Sequence, residues 1–271
     1  MSDHNHGHHF PLSGATRVIA IVGDPIAQVK SPAGVTATLQ ALGRNAVVIP
    51  AHVAPADLAD YVRGMGRARN VDGLIMTVPH KFAAYALCGT VTERARFLGA
   101  VNTLRRNADG GWHGEMCDGL GFVRAIRQAG CVLDGARVLL VGAGGAGSAI
   151  GQALLDSGAA ELAIHDADTA RRDTLVGRLG PRACVGSDDP SGFDVVANAS
   201  WCGMQPGDPY PVQVDRLTAQ MFVGDVITAP AVTPLVQAAR DLGCRTQTGG
   251  GMFTAVCELM VEFFTAEGPL A

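Results

Sequence analysis

The chain has 271 residues, 48% of them hydrophobic and 17% charged, enough apolar material for one large or two medium cores and far from a disordered composition. A net charge of −4 without a basic stripe argues against a nucleic-acid partner. No stretch reaches the roughly 18 apolar residues of a membrane span, and the polar run "HNHGHH" (His4 to His9) reads as a tail, neither a signal peptide nor a metal site.

In chain order, "TRVIAIVGD" (Thr16 to Asp24) is a Val/Ile run reaching a Gly, which predicts a parallel strand entering a loop. "SPAGVTATLQALG" predicts a helix with Ser31 as cap, Pro32 at the first turn and Gly43 as stop. "NAVVIPAHV" is a second strand, "PADLADYVRGMG" a second helix and "VDGLIMTVP" a third strand. "NADGG" predicts the turn of a hairpin within "GAVNTLRRNADGGWHGEMCDG". Gly119 to Gly130 follows as a helix. A second α/β series begins at "ARVLLVGAGGAGSA", with strands at "FDVVANAS" and "MFVGDVI" and a helix at "TPLVQAARDLG". Last comes a Gly-rich loop into an amphipathic helix, "GGGMFTAVCELMVEFFTAEG". The fold class is therefore α/β in two units. The expected division is 14–118, completed by the helix 251–267, and 119–250.

Gly142, Gly144 and Gly147 stand in G-x-G-x-x-G register between a strand and a helix. The first serves the tight turn, the second the approach of the pyrophosphate, the third the packing of helix on strand. Gly145 and Ala146 complete that loop. Asp166, 22 residues beyond Gly144, ends the next strand, where a carboxylate accepts from ribose hydroxyls and repels a 2′-phosphate. NAD is the expected cofactor; Arg171 and Arg172 leave NADP possible, and Asp168 is a second candidate for the ribose. Seven dispersed Cys without a CxxC pair read as reduced thiols of the cytoplasm, with no metal site.

Eight short motifs then occur in order: "GDPIAQVKSP", "TVPHK", "GAVNT", "CDGLGF", "GAGGAGSA", "NASWCGM", "GDVITAP" and "GGGMFTAV". Together the chain from about Arg17 onward resembles the shikimate dehydrogenases, including their shikimate/quinate branch. The resemblance implies an N-terminal substrate-binding domain and a Rossmann-type dinucleotide-binding domain, with the active site in the cleft between them and the C-terminal helix returning to the first domain. It implies Lys81 and Asp118 as the catalytic pair and Thr77 and Asn102 as substrate contacts. It places Ala199, Ser200 and Met204 near the nicotinamide and Gly249 and Met252 on the cofactor side of the cleft. The implied partner is a small cyclic hydroxy acid or polyol; monomer and homodimer are both open.

The chain departs from the family at the substrate end. The two Ser of its first motif read Val29 and Ser31, its Asn-Val-Thr reads Ile75-Met76-Thr77, and its Asn-Thr-Asp reads Met116-Cys117-Asp118. Its late Tyr is Thr228 and its Gln on the last helix is Val256. In the family the Ser pair and the Tyr hold a carboxylate. Two lost hydrogen bonds to a charged group, about 1.5–3 kcal/mol each, weaken such recognition by about two to four decades. Ser31, Thr228, Thr254 and Lys30 are the remaining candidates to hold an acid. A non-catalytic dinucleotide- or metabolite-binding relative is the alternative function, against which stand the intact Lys81 and Asp118.

Overall fold

Two six-stranded sheets carry the molecule, and the computed structural model describes residues 12–266; His4 to His9 lie outside that range. The first part of the chain runs β1 (Arg17–Gly23), α1 (Ser31–Ala41), β2 (Ala46–His52), α2 (Leu58–Met65), β3 (Val71–Met76) and α3 (Lys81–Tyr85). It continues with β4 (Thr90–Val91), α4 (Glu93–Leu98), β5 (Thr103–Arg106) and β6 (Trp112–Glu115). These strands form one sheet in the order β2-β1-β3-β5-β6-β4. β1 pairs parallel with β2 and β3, while β3, β5 and β6 run antiparallel in turn, as the hairpin at "NADGG" requires. Gly110 sits at φ +84 in that turn, a conformation open to Gly without a Cβ penalty.

Helix α5 (Asp118–Gln128) leads to the second sheet. There follow β7 (Arg137–Val141), α6 (Gly145–Asp156), β8 (Glu161–His165), α7 (Thr169–Leu179), β9 (Ala183–Val185) and β10 (Val195–Asn198). β11 (Phe222–Asp225), α8 (Pro234–Asp241), β12 (Arg245–Gln247) and α9 (Gly249–Thr265) complete the chain. The order is β12-β11-β10-β7-β8-β9, parallel throughout, with its switch of direction between β7 and β10. That is the doubly wound topology of dinucleotide-binding folds.

The central strands β1, β3, β7, β10 and β11 bury both faces, which is why they read as continuous apolar runs. On β7, Val138 and Leu140 join the core beneath α5 and α6, while Leu139 and Val141 join the core on the opposite face. Burial of each such side chain contributes about 1.5–3 kcal/mol, and a Leu140→Ala cavity costs about 2–5 kcal/mol.

Helix α5 packs between α6 and α9. Gly119, Phe122, Val123 and Ile126 are buried at helical spacing. A Cβ on Gly119 would lie 2.1 Å from the Ala149 carbonyl oxygen, and one on Gly121 would lie 2.2 Å from Val256 Cγ2. These two small residues let α5 approach α6 on one side and α9 on the other. Helix α9 then returns to the first sheet. Arg105 Nη1 donates to the carbonyls of Phe263 (2.9 Å) and Ala266 (2.8 Å), free acceptors at the end of that helix. Its guanidinium also lies 5.1 Å from the Phe263 ring centroid.

Some expected boundaries shift. The helix expected at Pro55 begins at Leu58, after a short 3-10 turn over Pro55–Asp57. The third strand stops at Met76, before Thr77. Lys81 opens α3 after the turn 77–80. Helix α9 starts at Gly249, inside the expected loop. A Cβ there would lie 2.2 Å from the Ile227 carbonyl oxygen, so Gly249 lets the helix start against that backbone.

Candidate functional site

Met76 N–H donates to the Asn102 carbonyl (2.8 Å) and Thr77 N–H to that of Val22 (3.0 Å), which ends β3 against its neighbours. His80 is 1% exposed, and its Nε2 sits 2.8 Å from the Val53 carbonyl oxygen. Anchored there, the chain turns and sets Lys81 at the carboxyl end of the sheet, where open α/β sheets bind ligands.

Lys81 Nζ donates to Asp118 Oδ2 at 2.6 Å. Asn102 Nδ2 donates to Asp118 Oδ1 at 2.7 Å, so each carboxylate oxygen has its own donor. Cys117 N–H donates to Asn102 Oδ1 at 2.9 Å. Asn102 is 1% exposed, whereas the side chains of Lys81 and Asp118 keep 28% and 16% of their surface. Asp118 is the first residue of α5, and the amino end of a helix favours a negative charge. Burial pushes the Cys117 thiol up to about 12, so it stays protonated near neutrality and is no nucleophile.

Two cavities meet at this pair. The smaller, about 220 Å³, is lined by Val29, Ser31, Thr77, Asn102, Thr228 and Val256. All six residues expected at the substrate thus face one space. Gly249 and Met252, expected on the cofactor side, line this smaller cavity too, beside Lys30 and Ile75. The larger, about 670 Å³, holds Gly144, Gly145 and Ala146 on one wall and Phe82, Leu98 and Met116 on the other. Lys81 and Asp118 line both.

The Gly-rich loop divides its work. A Cβ on Gly147 would lie 1.9 Å from the Gly142 carbonyl oxygen, while Gly144 and Gly145 face open space. Gly142 holds φ +101 and packs on Ala199, whose carbonyl carbon would lie 2.7 Å from an added Cβ. So the first and third Gly serve packing, and the middle of the loop presents the amino end of α6 to the cavity. That wall fits a pyrophosphate. Asp166 Oδ2 accepts from Ala143 N–H (2.7 Å) and its Oδ1 from Asp168 N–H (2.8 Å), which holds the carboxylate beside the loop. Asp168 caps α7 and pairs with Arg171 at 3.2 Å. Arg171 lines the large cavity, whereas Arg172 pairs with Asp173 at 2.8 Å.

Among the residues expected at the cofactor, Gly142, Gly147, Asp166, Ala199, Ser200 and Met204 line neither cavity. Ser200 Oγ donates instead to Asn198 Oδ1 (2.7 Å), and Met204 is 47% exposed. Sequence reasoning missed Val78, Phe82, Leu98, Ala100, Ser148 and Arg178 on the large cavity. Val78, Ala100 and Ser148 sit inside the motifs "TVPHK", "GAVNT" and "GAGGAGSA" and so had a legible signal; Phe82, Leu98 and Arg178 lie outside the motifs. Arg178 reaches across the cavity mouth, donating to the Phe97 carbonyl with its guanidinium 5.0 Å from that ring's centroid.

Residues 21–104 match the family model of the shikimate dehydrogenase substrate binding domain. The shikimate dehydrogenase (NADP(+)) of Rubrobacter xylanophilus is 37% identical over 247 residues, 88% of this chain and 87% of the relative. The ligand-free 5-ketofructose reductase of a Gluconobacter strain superposes with TM-score 0.87 at 30% identity, covering 94% of each chain. The quinate dehydrogenase of Corynebacterium glutamicum in complex with NAD superposes with TM-score 0.84 at 30% identity, covering 94% of this chain and 95% of the other.

Proposed function

This chain belongs to the shikimate dehydrogenase family, and we propose that it is an NAD(P)-dependent oxidoreductase acting on a ring hydroxyl of shikimate, quinate or a related cyclic polyol acid. The carrying observation is that Lys81 and Asp118 form the wall common to both cavities. A group bound in the smaller space and one bound in the larger therefore meet over one ion pair. A nicotinamide dinucleotide in the larger cavity supplies the hydride acceptor. Gly144, Gly145 and Ala146 hold its pyrophosphate, and Asp166 its ribose. Thr77, Asn102 and Lys81 orient the substrate hydroxyl. As the C–H hydride leaves, the Lys81–Asp118 pair takes the hydroxyl proton, and the carbon–oxygen bond becomes a carbonyl. The two groups share one hydrogen bond, so the proton is taken up by the pair rather than by one isolated side chain. The carboxylates of Asp166 and Asp168 favour NAD. Arg171, which lines the large cavity, admits NADP, the cofactor named for the Rubrobacter relative.

A second reading of the substrate is supported by Val29, Ile75 and Val256 in the smaller cavity. They leave Ser31, Thr228 and Lys30, which has no ion-pair partner among the described residues, as groups for an acid, and they suit an uncharged polyol ketone, the substrate class named for the Gluconobacter relative. The test is nicotinamide reduction with NAD and with NADP, using shikimate, quinate and a set of neutral cyclic and open-chain polyols. Turnover of an acid supports the first reading; turnover of neutral polyols alone supports the second. Tight cofactor binding with no turnover of any of them would favour a non-catalytic relative.

A further inference from the structure

The Lys81–Asp118 pair is held by a chain of buried groups that reaches away from both cavities. Asp118 Oδ1 accepts from Asn102 Nδ2, and this donation requires one of the two orientations of the Asn102 amide. A flipped amide would set Oδ1 against the carboxylate. Two donors on the far side oppose the flip: the Cys117 N–H at 2.9 Å and the Thr103 Oγ1 hydroxyl at 3.0 Å, both into Asn102 Oδ1. A backbone N–H can only donate, so the orientation is determined by chemistry. Thr103 is 0% exposed and lines neither cavity. Its hydroxyl lies 3.6 Å from Cys117 Sγ, and the Asn102 oxygen can only accept. The hydroxyl hydrogen therefore goes to Asn102, and the thiol donates to Thr103.

We propose that Thr103 is a positioning residue for hydroxyl oxidation: its hydroxyl, backed by the Cys117 thiol, locks the Asn102 amide so that one N–H holds Asp118 and the other faces the substrate. This rests on the reading of Lys81 and Asp118 as the proton-accepting pair. The chain runs from the Cys117 thiol through Thr103 and Asn102 to Asp118 and Lys81, and each group has one direction of donation. Loss of the Thr103 hydroxyl leaves the Asn102 oxygen with one donor and weakens the lock by about one buried hydrogen bond.

The variants T103V and T103S separate this role from packing. Val keeps the shape and removes the hydroxyl; Ser keeps the hydroxyl and removes a methyl. With the best substrate from the panel above, T103V should lower kcat/KM about tenfold, the worth of one such bond. T103S should rescue it, with the dissociation constant for NAD the same in all forms. A purely structural role would instead make T103S, with its lost methyl, at least as damaging as T103V. K81A, run beside them, keeps the two readings distinct. Activity surviving in K81A overturns the catalytic pair itself. An inactive K81A with T103V equal to wild type overturns only the role of Thr103. A measurement without substrate completes the test: the Asn102 side-chain amide protons, followed by nitrogen-15 NMR, should exchange slowly in wild type and T103S and faster in T103V. Equal exchange in T103V and wild type would overturn the lock.

Discussion

Gly147 and Gly145 lie two residues apart in one loop, and the structure assigns them opposite sensitivities. A Cβ on Gly147 meets the Gly142 carbonyl oxygen at 1.9 Å and needs about 1.5 Å of displacement to reach ordinary contact. The obstacle is backbone at the tight turn, where Gly142 is itself pressed against Ala199. Overpacking of this kind costs about 1–3 kcal/mol, and at about 2–4 °C per kcal/mol Gly147→Ala should lower Tm by about 2–12 °C. A Cβ on Gly145 meets no heavy atom within 4 Å, and its φ is not among the positive ones. Gly145→Ala should leave Tm unchanged or raise it slightly, because Ala restricts the unfolded chain. Gly145 does line the large cavity, so its Cβ would stand where the pyrophosphate approaches. Affinity for NAD should fall at least about tenfold, or about 1.4 kcal/mol. The assay is thermal unfolding of each variant without cofactor, followed by titration with NAD by calorimetry. If Gly145→Ala melts as early as Gly147→Ala, or binds NAD like wild type, the division of labour in the loop is wrong.

Asp166→Ser removes the carboxylate beside the loop, so the ratio of kcat/KM for NADP over NAD should rise about ten- to a hundredfold, the effect of about 1.4–2.8 kcal/mol of charge repulsion; an unchanged ratio would place the ribose elsewhere. Val29→Ser returns a hydroxyl to the smaller cavity, and if the substrate is an acid its KM should fall about ten- to a hundredfold, the worth of one hydrogen bond to a charged group. No change with any acid in the panel would support the neutral substrate. Asp225 supplies a pH test. It is 0% exposed and accepts from Ile227 N–H (2.9 Å) and Thr233 Oγ1 (2.7 Å), yet burial pushes its carboxyl above its ordinary value of 3.8. The folded state therefore holds this proton more tightly than the unfolded state. The group costs nothing well below pH 3.8, and its ionisation lowers stability as pH rises from there through the folded value. Relative to wild type, Asp225→Asn should gain stability in urea unfolding as pH is raised from about 3.5 to 7; a relative loss over that window would reverse the assignment.

The parts of the site that could be read from the sequence are those in which one short segment carries its own physical constraint. The Gly-rich loop is such a segment, because a turn, an open face and a close contact each demand Gly at a set spacing. The strand before Lys81 was legible, but the opening of α3 at Lys81 was not. The length of β3 is set by pairing of Met76 and Thr77 with Asn102 and Val22, which are distant in sequence. The two-residue strand β4 and the short helices α3 and α4 lack enough residues to show a period. Thr103 closes the motif "GAVNT", but its role was not legible, because the Cys117 and Asp118 groups that complete its network are brought to Asn102 by the hairpin. Gly249 and Met252 fall on the smaller cavity because α9 packs against α1 and α5, a contact that no local pattern encodes. The Arg178–Phe97 contact was hidden for the same reason, its partners being 81 positions apart in the sequence.

The central claim is that one ion pair serves both cavities, taking a proton from the substrate in one as hydride passes to the cofactor in the other. The direct measurement is single-turnover nicotinamide reduction by wild type, K81A and D118N with the best substrate of the panel, beside NAD affinity in each. Removal of a positioned general base should slow the chemical step by about 10²–10⁴-fold, or about 2.7–5.4 kcal/mol. NAD affinity should remain within about threefold of wild type, because in the proposed reading the cofactor is held by Gly144, Gly145 and Ala146 and not by the ion pair. Full-rate reduction by K81A would contradict the account, and so would a loss of turnover explained entirely by lost NAD binding.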